Sequence, residues 1–206
     1  MTDGIDRTDC PAFERLVLAY HESAHAIVDH AVWPPNPVVR VTITPSDEHD
    51  GVVELGERSE AWRFGLDDDV AEAFLAEADT IQSLAGNAAA GVFLGVKKQL
   101  PLPPVWSTDH ENAGLSALCT WDGVDGVRLQ PCDYLGRTRQ VLERSDVQLG
   151  IARVASALLQ QRSLSGAQVE DIVRECGVTC ERSELPNGWP EPDDEFDDEA
   201  YSCSRW

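Results

Sequence analysis

Two histidines and a glutamate lie together near the N-terminal end of the chain, in the order His21-Glu22-Ser23-Ala24-His25. Residues four apart on an α-helix differ by about 40° in direction, so both imidazoles of this HExxH pattern face one side. Imidazole nitrogens bind zinc, and a glutamate next to the first histidine can reach a water on the metal without binding the metal itself. The pattern predicts a zinc (Zn2+) site with His21 and His25 as ligands and Glu22 as the general base.

Five-residue matches of this kind also arise by chance, and two histidines on a helix can be mere neighbours. The surrounding sequence favours the metal site. The flanks in AYHESAHAIV are apolar, and neither Gly nor Pro interrupts the helix across the motif. His30 lies nine residues after His21, on the opposite side of such a helix, and is not expected to bind the same metal. His49, among acidic residues of a loop, is expected to be solvated.

A catalytic zinc site needs a third protein ligand and one open position. A metzincin would supply it six residues after His25, but position 31 is alanine, which excludes that class. A gluzincin would supply a glutamate from a following helix, for which Glu72 and Glu77 are candidates. Neither glutamate has a supporting local signature.

Another candidate ligand, Asp109, follows a proline-rich segment. Thr108 and Glu111 have the spacing of a capping box and predict a helix that starts at Asp109. The neighbouring His110 is an alternative ligand or could orient substrate, although a surface histidine near a helix start is the commoner case.

The elements that must position these residues are mainly helical. Apolar residues at helical spacing predict helices at about 11–33, 67–95, 133–161 and 165–177. Two segments rich in β-branched residues, 37–45 and 51–55, predict a β-hairpin in which Val39, Val41 and Ile43 alternate with polar residues. The fold class expected is therefore mainly α (α+β), a helical bundle with a small hairpin or sheet. Residues 39–44 are a candidate edge for an extended substrate, with an ordinary internal strand as the default.

Charge and composition indicate which classes of partner are not expected. The 206 residues carry a net charge of −21, and nine of the acids lie in 181–206, which is predicted to be a disordered acidic tail after a domain at 1–180. Nucleic acid and anionic membranes are not expected partners, because both need clustered Lys and Arg. The absence of an apolar stretch or signal peptide predicts a cytoplasmic protein. Six scattered cysteines do not suggest a disulfide framework, and a second metal site at Cys176 and Cys180 is improbable.

Several separate motifs resemble the peptidase domain of the FtsH-type ATP-dependent zinc metalloproteases. The likeness covers roughly residues 12–175, in the family's order and approximate spacing. The matching segments are AYHESAHAIV at 19–28, VVRVTITPSD at 38–47, GVVEL at 51–55, LAGNAAAGVFLG at 84–95, STDHENA at 107–113 and ALLQQRSLSGAQV at 157–169. The resemblance implies the family's peptidase fold, hydrolysis of peptide bonds, and Asp109 as the third zinc ligand.

The chain departs from that family in two respects. Asn87, Ala90 and Gly91 stand where the family has an arginine and two glutamates, and no GxxxxGK[ST] phosphate loop occurs. The expectation is a stand-alone metalloendopeptidase that acts on unfolded polypeptides or works with a separate unfoldase ATPase. The alternatives are a catalytically inactive, metal-binding adaptor or regulator that binds a protein partner through its acidic surface, and a specialised protease with one regulatory target.

Overall fold

The structure is a computed structural model that describes residues 11–46, 50–66, 68–94, 109, 112, 113 and 131–182. The helices are α1 (Pro11–Ala31), α2 (Asp68–Leu94), α3 (Pro131–Glu143), α4 (Ser145–Gln161) and α5 (Gly166–Cys176). The strands are β1 (Val38–Thr42), β2 (Val52–Leu55) and β3 (Ser163–Ser165), and a 3-10 helix spans Glu60–Arg63. The predicted class is confirmed: the chain is mainly helical with a small antiparallel sheet.

Helix α1, which carries the HExxH motif, packs against α2, α4 and the sheet. Its apolar residues recur at helical spacing as predicted, and Ile27 and Val28 are completely buried. The helix ends at Ala31 rather than at the predicted Trp33. Trp33 precedes Pro34, and the residue before a proline is sterically disfavoured in the helical conformation. Both faces of α1 are therefore fixed by neighbours before the chain turns toward β1.

The three strands form a sheet in the order β2-β1-β3. The predicted hairpin is confirmed, because β1 and β2 pair antiparallel with Thr42 opposite Val52. On its other side β1 pairs antiparallel with β3, where Val41 lies opposite Leu164. The candidate substrate edge at 39–44 is therefore wrong, since residues 40–42 pair with both neighbours, and the default of an internal strand is confirmed.

The predicted alternation in β1 fails at Val39. The pairing register shifts between Val38 and Arg40, which marks a β-bulge. Val38 is buried while Val39 is 54% exposed, whereas Val41 and Ile43 face the core as expected. A bulge inserts one extra residue and so moves the side chains on one flank of it to the opposite face.

The helical stretch predicted at 133–161 is two helices, broken at Arg144. That residue has extended backbone angles (φ −63°, ψ 132°). Its guanidinium pairs with Asp146 at 2.7 Å and donates to the Thr179 carbonyl oxygen at 2.7 Å. These partners hold Arg144 in place between α3 and α4, and the second of them lies far away in the sequence.

The last predicted helix is confirmed at both ends. Ser165 and Gln168 form a capping box at the start of α5, and Gly177 ends the helix in the left-handed conformation at φ 68°. The chain then returns to the end of α1, where Trp33 donates a backbone hydrogen bond to Glu181. The Arg182 guanidinium lies over the Trp33 ring. Residues 183–206, which make up most of the predicted tail, lie outside the described residues.

Within the described part of the chain, no helix combines the length and the apolar content that crossing a membrane requires. The sequence-based expectation of a cytoplasmic protein stays a prediction.

Candidate metal centre

Three side-chain atoms from distant parts of the sequence converge at the middle of α1. His21 Nε2 lies 3.1 Å from His25 Nε2, and the Asp109 carboxylate oxygen Oδ2 lies 2.9 Å from the first and 3.3 Å from the second. Both histidines are almost fully buried, and the Asp109 side chain is 23% exposed. Within the described residues this is the group of His, Cys, Asp or Glu side chains that could hold a metal ion.

The hydrogen bond of His25 to α2 determines which of its ring nitrogens faces the group. His25 Nδ1 lies 2.7 Å from the backbone carbonyl oxygen of Gln82. A carbonyl oxygen can only accept, so Nδ1 carries the proton and Nε2 of the neutral ring presents a lone pair. That lone pair faces the Asp109 carboxylate and the other imidazole. Electron-rich atoms this close need a positive charge between them, either a proton or a metal ion.

The proximity of the three side chains and their burial shift the pKa values of all three. Burial lowers the pKa of His25, but the hydrogen bond to Asp109 and its charge outweigh burial and raise the pKa to about 9. Burial alone would raise the pKa of Asp109, yet hydrogen bonds from the two histidines bring it well below its usual range. Burial dominates at His21 and lowers its pKa. Asp109 is therefore a carboxylate, and its charge favours a positive charge within the group, either a proton on His25 or a metal ion.

Glu22 lies in the same buried region but outside the group of three. Its side chain is 6% exposed, and burial raises its pKa to about 7, with the Asp109 charge acting in the same direction and the His25 charge against it. No described residue donates a hydrogen bond to the carboxylate. A buried acid without such partners is uncommon in purely structural positions.

The other candidate ligands are engaged elsewhere. Glu72 forms an exposed ion pair with Arg63, and the buried Glu77 pairs with Arg137 at 3.2 Å. The two glutamate candidates for the third ligand therefore lie outside the group of three side chains. His30 is likewise outside it, as predicted, and burial lowers its pKa.

Some of the predicted features fall outside the described residues. These are His49, His110, and the Thr108 and Glu111 side chains of the capping box. Asp109 itself has helical backbone, as do residues 112 and 113. Cys176 and Cys180 are free thiols beyond the group, and α5 ends between them as expected.

Sequence reasoning missed the role of Gln82. Its contribution is a backbone carbonyl, which every residue carries, so no residue type could have indicated it. The sequence does show the many small residues of α2, which permit close helix packing without indicating its purpose.

The fold and the site define a mainly helical α+β protein with a candidate two-histidine, one-aspartate metal centre. The chain matches no known protein-family model, and a comparison with curated proteins finds no match either. The likeness to FtsH-type peptidases therefore rests on the sequence motifs.

Proposed function

We propose that this protein is a zinc-dependent metalloendopeptidase of the FtsH type that hydrolyses peptide bonds. The observation that carries the proposal is the convergence of His21 Nε2, His25 Nε2 and Asp109 Oδ2 within 3.3 Å of one another beside the buried Glu22. Three ligands and a separate acid are the components of a catalytic rather than a structural zinc site.

The donor set and its spacing fit zinc. Tetrahedral zinc binds imidazole nitrogen and carboxylate oxygen at about 2.0–2.2 Å, which places neighbouring ligand atoms about 3.3–3.5 Å apart. The three distances of 2.9–3.3 Å are slightly shorter, so ligands would move apart by a few tenths of an ångström. The backbone carbonyl oxygen of Gln82 accepts from His25 Nδ1 the outer hydrogen bond that metal-binding histidines generally make.

The chemistry divides between the metal and the chain. A bound zinc ion supplies Lewis acidity, polarising a carbonyl and lowering the pKa of water toward neutrality. Glu22 takes the proton of the water that attacks the scissile carbonyl and then delivers it to the leaving amine. Glu22 suits both steps, because it lies beside the three ligand atoms without belonging to that group and can accept and release a proton there.

Peptide binding would use the outer edge of β2 rather than β1. β2 is the terminal strand of the sheet, and within the described residues no strand pairs with its other side. An extended polypeptide can add to such an edge through backbone hydrogen bonds, which favours unfolded substrates. A separate unfoldase ATPase could supply them.

The test combines metal analysis with proteolysis. Purified wild-type protein should contain about one zinc ion per chain, and His21→Ala should lose it. Glu22→Gln should retain zinc but not cleave an unfolded substrate such as casein. Zinc bound by a wild-type protein that cleaves no unfolded substrate would overturn the peptidase proposal and favour the metal-binding adaptor.

A further inference from the structure

Gly86 on α2 lies directly against both metal-binding histidines. A methyl carbon built on Gly86 would lie 2.5 Å from His21 Cε1, 2.5 Å from His25 Nε2 and 2.6 Å from His21 Nδ1. Carbon atoms in van der Waals contact need about 3.5–4.0 Å. No side chain fits at this position while the two rings keep their places.

The close approach brings the backbone of α2 to the imidazoles. Gln82 lies one helical turn before Gly86, and its carbonyl oxygen accepts the hydrogen bond from His25 Nδ1. The Gly86 backbone lies against the His21 ring. One turn of α2 thus contacts both rings, with Gly86 beside His25 Nε2 and beside Cε1 and Nδ1 of His21. Any side chain at position 86 would push the rings off this turn.

We propose that Gly86 is a positioning residue of the metal centre: its missing side chain lets one turn of α2 seat both imidazoles and fix the His25 tautomer for metal binding. The inference rests on the proposed metal site. It adds a determinant of metal affinity that is neither a ligand nor a catalytic group.

A glycine needed only for helix packing has different surroundings. At Gly150 on α4, an added methyl carbon would lie 3.2 Å from Ile27 Cγ2 and 3.2 Å from Val178 Cγ2, which are apolar atoms at side-chain ends. At Gly136 on α3 it would meet nothing within 4 Å. Gly150→Ala therefore controls for steric displacement of α1 away from the metal site. Gly136→Ala controls for the glycine-to-alanine change itself.

The experiment is a zinc competition titration with a chromogenic chelator on wild type, Gly86→Ala, Gly150→Ala and Gly136→Ala, with folding checked by circular dichroism. Gly86→Ala should weaken zinc binding by about 10- to 100-fold, the range seen when outer-shell support of a ligand is lost. The cobalt-substituted protein should show altered visible absorption in this variant. The two control variants should bind zinc as tightly as wild type.

The outcomes separate the two proposals. A wild type that binds no zinc overturns both the metal site and this inference. A wild type that binds zinc together with a folded Gly86→Ala that binds it equally tightly overturns only the role of Gly86. If Gly86→Ala does not fold, NMR of the zinc-loaded wild type decides. A slowly exchanging ring N–H at His25 Nδ1 supports the proposal, and a freely exchanging one overturns it.

Discussion

Helix α1 carries two buried carboxylates seven residues apart, and they differ in how the fold compensates their burial. Glu22 is 6% exposed and Asp29 is 2% exposed. Burial is the main reason that the pKa of each is raised to about 7. Asp29 accepts hydrogen bonds from the backbone N–H of Asn36 at 2.8 Å and from its side-chain amide at 3.0 Å, and the nearby Arg58 charge favours its ionised form. Glu22 has no such donor among the described residues.

The difference is the one expected between a structural acid and the proposed catalytic acid. The two hydrogen bonds of Asp29 fix the turn between α1 and β1 and offset part of the penalty of burying it. Among the described residues Glu22 accepts no such hydrogen bond, and the charge of the neighbouring His25 is what favours its ionised form. Groups whose burial is left uncompensated are concentrated at functional sites. The burial of Glu22 thus costs folding free energy, and its proposed catalytic role accounts for that cost.

The largest expected difference between the two acids is in cleavage rate. Glu22→Gln removes the proposed general base and should lower kcat for casein by about 10²- to 10⁴-fold while zinc stays bound. Asp29→Asn, assayed below its unfolding transition, should retain activity within a few fold of wild type. A folded Asp29→Asn variant that binds zinc but has no activity would contradict the different roles assigned to Asp29 and Glu22.

Gly51 offers a way to displace Glu22 without changing it. A methyl carbon on Gly51 would lie 2.7 Å from Glu22 Oε1 and 2.9 Å from its Cγ, so Gly51→Ala must move the carboxylate. A displacement of about 1 Å at a catalytic group can lower the rate by about 10²-fold. We expect that loss in kcat with zinc affinity unchanged, measured by the same chelator titration. Equal losses of zinc and activity would show that Gly51 acts on the whole site rather than on Glu22.

The next effect is on stability, where substituting Asp29 should have a larger effect than substituting Glu22. Asp29→Ala leaves two partly buried donors of Asn36 without their acceptor and should lower the free energy of unfolding by about 1–3 kcal/mol. Glu22→Gln should lower it by less, or raise it, because no hydrogen bond is lost. Urea denaturation of the metal-free proteins measures both, and a larger loss for Glu22→Gln would contradict the assignment of roles.

How much of the fold and the site could be predicted from sequence depends on how far apart along the chain the interacting residues lie. His21, Glu22 and His25 follow from helical spacing, and the ends of α5 follow from the local chemistry of Ser165 and Gly177. Those features depend on residues a few positions apart.

The features that could not be predicted from sequence depend on tertiary contacts. Asp109 lies 84 residues from His25 and was one of several candidates until the family resemblance implied it. The second partner of β1 is a three-residue strand, β3, too short for its pattern to be recognised. The partnership of Asp29 with Asn36 required the turn at Trp33 to bring the chain back.

The effect with the shallowest dependence concerns pH, where stability changes gradually over about three pH units, and it tests the raised pKa of Asp29. In the unfolded chain an aspartate has a pKa of about 3.9, whereas burial raises that of folded Asp29 to about 7. Between these values the folded state keeps a proton that the unfolded state has lost. Stability from this group is therefore complete below pH 4 and decreases as pH rises to 7, with a slope of at most about 1.4 kcal/mol per pH unit.

Asp29→Asn removes that proton equilibrium and leaves every other titrating group in place. The difference in unfolding free energy between wild type and variant, measured by urea denaturation in EDTA from pH 4 to 8, should thus shrink as pH rises and level off above about 7. Glu22 contributes a slope of the same sign, but it is present in both proteins and cancels from the difference. A difference that stays constant over this range would mean that the hydrogen bonds from Asn36 fully offset burial. Asp29 would then ionise like a surface carboxylate, and the contrast with Glu22 would become sharper than the present pKa values make it.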